Sequence, residues 1–250
     1  MKAILLIHGF LSDRDDFAAI KDKLDDYYNK VEIISLPGHG DDMGVNPFTD
    51  VETFAAVTVA FDSLEKTYET IDVIGYSMGG ALAIYLASIR KIRKLILLAP
   101  SVKYINYQYP IKMMKTYFSL RHQIKVADKQ SASEVLEKME RINIDNKISI
   151  KLLRDRFLRF KIFPRYYLSF RRIIRKVNNE VKLIDNPCLI IWGEIDQLVP
   201  KSSIDYVKSL CTSENVCVKI FDDMSHLMLL SPANAEKIVT EIIKFIKEEV

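Results

Sequence analysis

The sequence of 250 residues predicts an α/β protein built on a minimal, mostly parallel sheet of about six strands with helices on both faces, interrupted by a helical insertion. Three observations carry this. Short apolar runs rich in Leu and β-branched residues recur along the chain with little polar alternation, as strands covered on both faces do. Helical repeats separate these runs, and strand–helix alternation with short connections implies parallel pairing. The stretch 101–183 breaks the pattern, because it holds none of the eight glycines and, between Ser101 and Lys182, 20 Lys and Arg against 7 Asp and Glu.

The expected strands are 3–7, 31–36, 71–74, 94–99, 188–192 and 216–221. Val51, Phe54, Thr58, Phe61, Leu64 and Tyr68 recur at helical spacing, and Thr49 with Glu52 reads as a capping box in front of them. Residues 81–89 read as the helix after the third strand. Ser231-Pro232 is an N-cap followed by proline at the first helical position, and Ile238, Ile242 and Ile246 mark the buried stripe of a last helix. Inside the insertion, Pro164 reads as a helix start. It is followed by a stripe of Tyr166, Tyr167, Phe170, Ile173, Ile174 and Val177, with Arg165, Arg172 and Lys176 on the opposite side. The insertion also holds 11 of the 25 aromatic residues, a composition suited to packing onto a core or roofing an apolar pocket.

Composition excludes several classes. Hydrophobic residues at 49 % and charged residues at 28 % describe a globular chain, neither disordered nor collagenous. A chain this long buries roughly 70–75 % of its unfolded surface, enough to hold a core without disulfides or a metal. Cys188, Cys211 and Cys217 are odd in number and form no CxxC, which argues against a disulfide scaffold or zinc ribbon and fits a reducing, cytoplasmic setting. The apolar run at the start is too short for a signal peptide, and no window approaches ~18 apolar residues. No ligand pair stands at metal spacing, so neither a metal nor another cofactor is expected. The net charge of +3 conceals +13 in 101–182 and −10 elsewhere. A basic insertion would contact an anionic membrane or lipid surface transiently. Nucleic acid is not expected, since no recognised nucleic-acid motif accompanies the charge.

Ligands of parallel sheets bind at the carboxyl ends of the strands, so the residues just after each strand come first. Gly75-Tyr76-Ser77-Met78-Gly79-Gly80 follows the third strand and matches G-x-S-x-G between strand and helix. Such a turn points the Ser77 hydroxyl out of the sheet, and the flanking glycines let strand and helix pack closely. A serine needs a base. His226, five residues past the last strand, is placed to serve; His8, His39 and His122 compare poorly. The imidazole needs a carboxylate to fix its tautomer. Asp196, in Gly193-Glu194-Ile195-Asp196, is the choice, with Glu194 as the alternative. Two backbone donors would hold an oxyanion: the N–H of Phe10, after His8-Gly9, and that of Met78. Gly9, Tyr76 and Leu198 flank these positions as expected substrate contacts.

The order Ser77, Asp196, His226 is that of the α/β-hydrolases. The chain resembles that superfamily, in its serine carboxylesterase and monoacylglycerol-lipase-like branch, over 1–100 and 184–250. Its markers are Leu6-Ile7-His8-Gly9-Phe10, Leu36-Pro37-Gly38-His39-Gly40, the segment 75–80, Trp192-Gly193-Glu194-Ile195-Asp196-Gln197-Leu198-Val199-Pro200 and Ser225-His226. The resemblance implies a helical cap at 101–183, a core lacking the superfamily's first two strands, and hydrolysis of short- to medium-chain acyl esters, among them monoacylglycerols or lysophospholipids. Two alternatives keep the triad: thioester hydrolysis, and the elimination run by the menaquinone-pathway lyase of this fold. That lyase carries an arginine after the double glycine, where this chain has Ala81. Oligomeric state leaves no mark in the sequence.

Overall fold

The computed structural model describes residues 1–103 and 156–248. The chain divides into two compact units, Met1–Ile105 with Arg165–Val250, and Asn106–Pro164. Most of the insertion expected at 101–183 lies outside the described residues.

The first unit is built on β1 (Lys2–Ile7), β2 (Lys30–Ile34), β3 (Thr70–Tyr76), β4 (Leu95–Leu98), β5 (Cys188–Gly193) and β6 (Val216–Phe221). They form one sheet in the order β2-β1-β3-β4-β5-β6, with every neighbouring pair parallel. The central strands read as apolar runs because helices cover both faces: Ala3–Ile7 and all of β4 are fully buried. Two strands end earlier than expected. Leu36 leaves the ladder because its N–H is taken by the His8 ring. Ala99 turns into the left-handed region at φ 42°, so β4 stops at Leu98.

The helices among the described residues are α1 (Ala18–Asp25), α2 (Asp50–Glu65), α3 (Met78–Ile89), α4 (Arg156–Glu180), α5 (Lys201–Leu210) and α6 (Pro232–Lys247). Thr49 caps α2 by accepting the Glu52 N–H at 3.2 Å, while its own hydroxyl donates to the Glu52 carboxylate at 2.8 Å. The stripe on α2 differs from expectation at two places: Val51 is 74 % exposed with Val57 buried instead, and the helix ends at Glu65, before Tyr68. At ~100° per residue, Phe54, Val57, Phe61 and Leu64 share one line and Val51 falls roughly 100° from its centre. Ser231 occupies the N-cap of α6 without a side-chain capping bond, and Ile238, Ile242 and Ile246 are buried as the spacing implies.

Pro164 does not start a helix. It lies inside α4, at the last residue of the second unit. A proline lacks only one donor and disturbs the turn before it, and α4 runs through it. Beyond it Tyr166, Phe170, Ile173 and Val177 are buried, pinning this part of α4 to the first unit.

Candidate active site

Ser77 alone joins β3 to α3, with φ 54° and ψ −115°. A non-glycine residue there stores on the order of 1–3 kcal/mol and persists only when its surroundings over-determine it. They do: the Ser77 N–H donates to Leu98 O at 2.9 Å, and its carbonyl accepts from Gly80 and Ser101, both at 3.0 Å. The flanking glycines meet a demand for space. A Cβ on Gly75 would lie 2.3 Å from the Gly79 carbonyl oxygen, and one on Gly79 2.0 Å from that of Ile7. Helix and sheet therefore approach closely enough to aim the serine out of the turn.

The three residues singled out for acid–base work meet. The Ser77 hydroxyl stands 3.0 Å from His226 Nε2, and His226 Nδ1 is 2.8 Å from Asp196 Oδ2. The second Asp196 oxygen accepts the Leu198 and Val199 N–H groups, each at 2.8 Å, so the carboxylate cannot swing away from the imidazole. Glu194 is exposed and does not join this chain; its N–H goes to Phe221 O. Asp196 follows β5 in a turn closed by its own N–H on Gly193 O at 3.0 Å. A Cβ on Gly193 would sit 2.1 Å from the Met224 carbonyl oxygen, so this glycine admits the loop carrying His226. Buried Met224, Met228 and Leu229 anchor that loop.

The loop after β1 lies over the serine. A Cβ on Gly9 would be 3.3 Å from Ser77 Cβ and 3.9 Å from its Oγ. The next residue, Phe10, is half-buried against Phe48 and Phe170, with ring centroids 5.9 and 5.1 Å apart. Met78 is the first residue of α3, where N–H groups have no acceptor within the helix. Backbone donors on both sides of Ser77 can thus face an oxygen bearing developing charge. Leu198 is half-buried. Tyr76 is buried, and its hydroxyl donates to the His226 backbone carbonyl.

Sequence reasoning passed over three groups. His8 is fully buried: Nδ1 donates to Gly9 O at 2.9 Å and Nε2 accepts the Leu36 N–H at 3.1 Å. Burial pushes its pKa down to about 4, so the ring is a neutral clamp between two loops. Asp16, on the short 3₁₀ turn Arg14–Phe17, has its carboxyl raised to about 6 by burial and lies in the field of His226. Ser203 Oγ donates to Pro100 O at 2.9 Å and accepts the Val102 N–H at 3.0 Å, tying α5 to the segment after β4. A buried His beside a glycine turn carries a weak sequence signal; Asp16 and Ser203 carry none, since only folding brings up their partners. Among the described residues no three His, Cys, Asp or Glu side chains gather as metal ligands, and no helix is long and apolar enough to cross a membrane.

Comparison with known proteins shows the family. The family described as serine aminopeptidase, S33 (Hydrolase_4) matches residues 1–233. A protein of Mycoplasma genitalium, provisionally named esterase/lipase 2, is 25 % identical over 234 residues, covering 89 % of this chain and 81 % of its own. A pimeloyl-[acyl-carrier protein] methyl ester esterase of Neisseria meningitidis is 36 % identical over 102 residues, 40 % of this chain and 37 % of that protein. Among solved structures, the monoacylglycerol lipase of Paleococcus ferrophilus superposes with TM-score 0.67 at 15 % identity, covering 97 % of this chain and 93 % of that one. The chain belongs to the Hydrolase_4 family and is an α/β hydrolase of the esterase/lipase type.

Proposed function

We propose that the protein is a serine carboxylesterase acting on short- to medium-chain acyl esters through a Ser77–His226–Asp196 triad. The observation that carries this is the continuous hydrogen-bonded chain from Ser77 Oγ through both ring nitrogens of His226 to Asp196. Ser77 Oγ attacks the ester carbonyl while His226 Nε2 takes its proton. The Phe10 and Met78 N–H groups hold the oxyanion. Collapse breaks the C–O bond, and His226 returns the proton to the leaving alcohol. A water, deprotonated by His226, then attacks the acyl-enzyme; the acid leaves and Ser77 regains its proton. Asp196 keeps Nδ1 protonated and favours the imidazolium at both steps. The rings of Phe10, Phe48 and Phe170 support an apolar acyl group near the carbonyl site. The insertion 101–183 is read as a helical cap, the lid such an enzyme carries. Free cysteines support a reducing, cytoplasmic setting.

The test is hydrolysis of p-nitrophenyl esters from two to sixteen carbons by wild type and Ser77→Ala. Activity peaking at short or medium chains, and falling at least ~10³-fold in the variant, is expected. Folded wild type inert on every ester, or a variant within tenfold of wild type, overturns the reading.

A further inference from the structure

The outer face of α4 carries charge the catalytic reading does not use. At ~100° per residue, Arg165, Leu168, Arg171, Arg172 and Arg175 fall within an arc of about 120°, opposite the arc of Tyr166, Phe170, Ile173 and Val177. The first arc is exposed and the second buried. Arg165, Arg171 and Arg175 make no ion pair with any described residue, and Arg172 reaches Asp50 only at 3.8 Å. Two large apolar side chains stand out at this face and beyond its end: Leu168 is 54 % and Leu183 62 % exposed. The segment 101–182 holds +13 in a chain whose remainder holds −10, so the basic character is concentrated on one stretch.

We propose that this face of α4 docks the protein on a bilayer bearing anionic phospholipid. The proposal rests on the esterase reading only for its purpose, which is to bring the site to acyl esters dissolved in a membrane. Guanidinium groups pair bidentately with lipid phosphates, and their weak hydration suits the headgroup layer. The exposed leucines favour lipid over nucleic acid, because apolar side chains gain by entering the acyl boundary and gain nothing beside a phosphodiester backbone. Such attraction acts within about one Debye length, ~8 Å at physiological salt.

Co-sedimentation of the full chain with vesicles of phosphatidylcholine, pure or with 30 % phosphatidylglycerol, tests this at low and at 0.5 M salt. Wild type is expected to bind the anionic vesicles at least tenfold better than the neutral ones, and to release them at high salt. Each basic residue near such a surface is worth roughly fivefold in partitioning, so Arg165→Gln/Arg171→Gln/Arg175→Gln should bind ~100-fold more weakly. Leu168→Ser should weaken binding while keeping the salt dependence. Hydrolysis of soluble p-nitrophenyl butyrate should be unchanged in both variants, which separates docking from the esterase reading. Equal binding to both vesicles, a triple variant that binds as wild type does, or preference for duplex DNA at equal phosphate overturns the proposal.

Discussion

Tyr76 and His226, 150 residues apart in sequence, are joined twice: the tyrosine hydroxyl donates to the histidine backbone carbonyl, and the rings stack with centroids 5.6 Å apart. The residue before the candidate nucleophile therefore holds the loop of its base. Tyr76→Phe keeps the stack and loses the anchor. We expect kcat to fall about tenfold with KM within threefold, and unfolding to cost ~1 kcal/mol less. Steady-state kinetics and urea unfolding check this; an unchanged kcat would remove Tyr76 from any positioning role.

Asp196 accepts from His226 Nδ1 with one oxygen and from two backbone amides with the other. Asp196→Asn keeps the shape but can donate to the ring, which moves the imidazole proton to Nε2 and blocks acceptance from Ser77. A fall of ~10³–10⁴ in kcat is expected with little change in KM. A loss below tenfold would pass the role to a different carboxylate.

Gly79 and Gly9 both stand close to the Ser77 turn, but a side chain at each would meet different neighbours. A Cβ on Gly79 would strike the backbone of β1 at 2.0 Å, whereas one on Gly9 would meet Ser77 Cβ at 3.3 Å. Gly79→Ala should lower stability by more than about 3 kcal/mol, because sheet and helix must separate. Gly9→Ala should cost less than ~1 kcal/mol and still lower kcat/KM at least tenfold by crowding the serine. Urea midpoints beside ester hydrolysis distinguish the two; equal stability losses would contradict the packing argument.

His8 and Asp16 make opposite contributions to the pH dependence of stability. The folded pKa of His8 lies at about 4, below its ordinary value of 6.5, so protonation favours the unfolded chain. Its contribution is complete above pH 6.5 and is lost as pH falls toward 4. The Asp16 carboxyl sits at about 6, above its ordinary value of 3.8, so protonation favours the folded chain and stability is gained over that same fall. Together they nearly offset, leaving a net loss of under about 1 kcal/mol between pH 7 and 5. Asp16→Asn removes the compensation and should expose a loss of ~2 kcal/mol over that range. Equal losses in wild type and variant, measured by urea unfolding, would contradict the assignment of either group.

The sheet was legible because parallel strands buried on both faces write apolar runs into the sequence, and all six runs became strands. Their ends were less legible. Leu36 and Ala99 are apolar like the strands they follow, but a His8 ring and a left-handed turn draw them off the ladder. Val51 misled for a related reason, since spacing alone does not locate the centre of a helical face. Pro164 misled because a local preference for starting a helix was overridden by the helix around it.

Residue types and their order along the chain determined by themselves the parallel α/β architecture and the singling out of Ser77 and His226, with Asp196 or Glu194 as the carboxylate. Short-range rules suffice there: period, turn chemistry, and the position of each residue after a strand. Tertiary structure alone decided that Asp196 rather than Glu194 meets the imidazole, that Tyr76 turns inward to His226, and that His8 is a neutral clamp. Each of these depends on which backbone groups arrive from distant segments, and on burial that makes an unpaired polar atom costly, neither of which is written in local spacing.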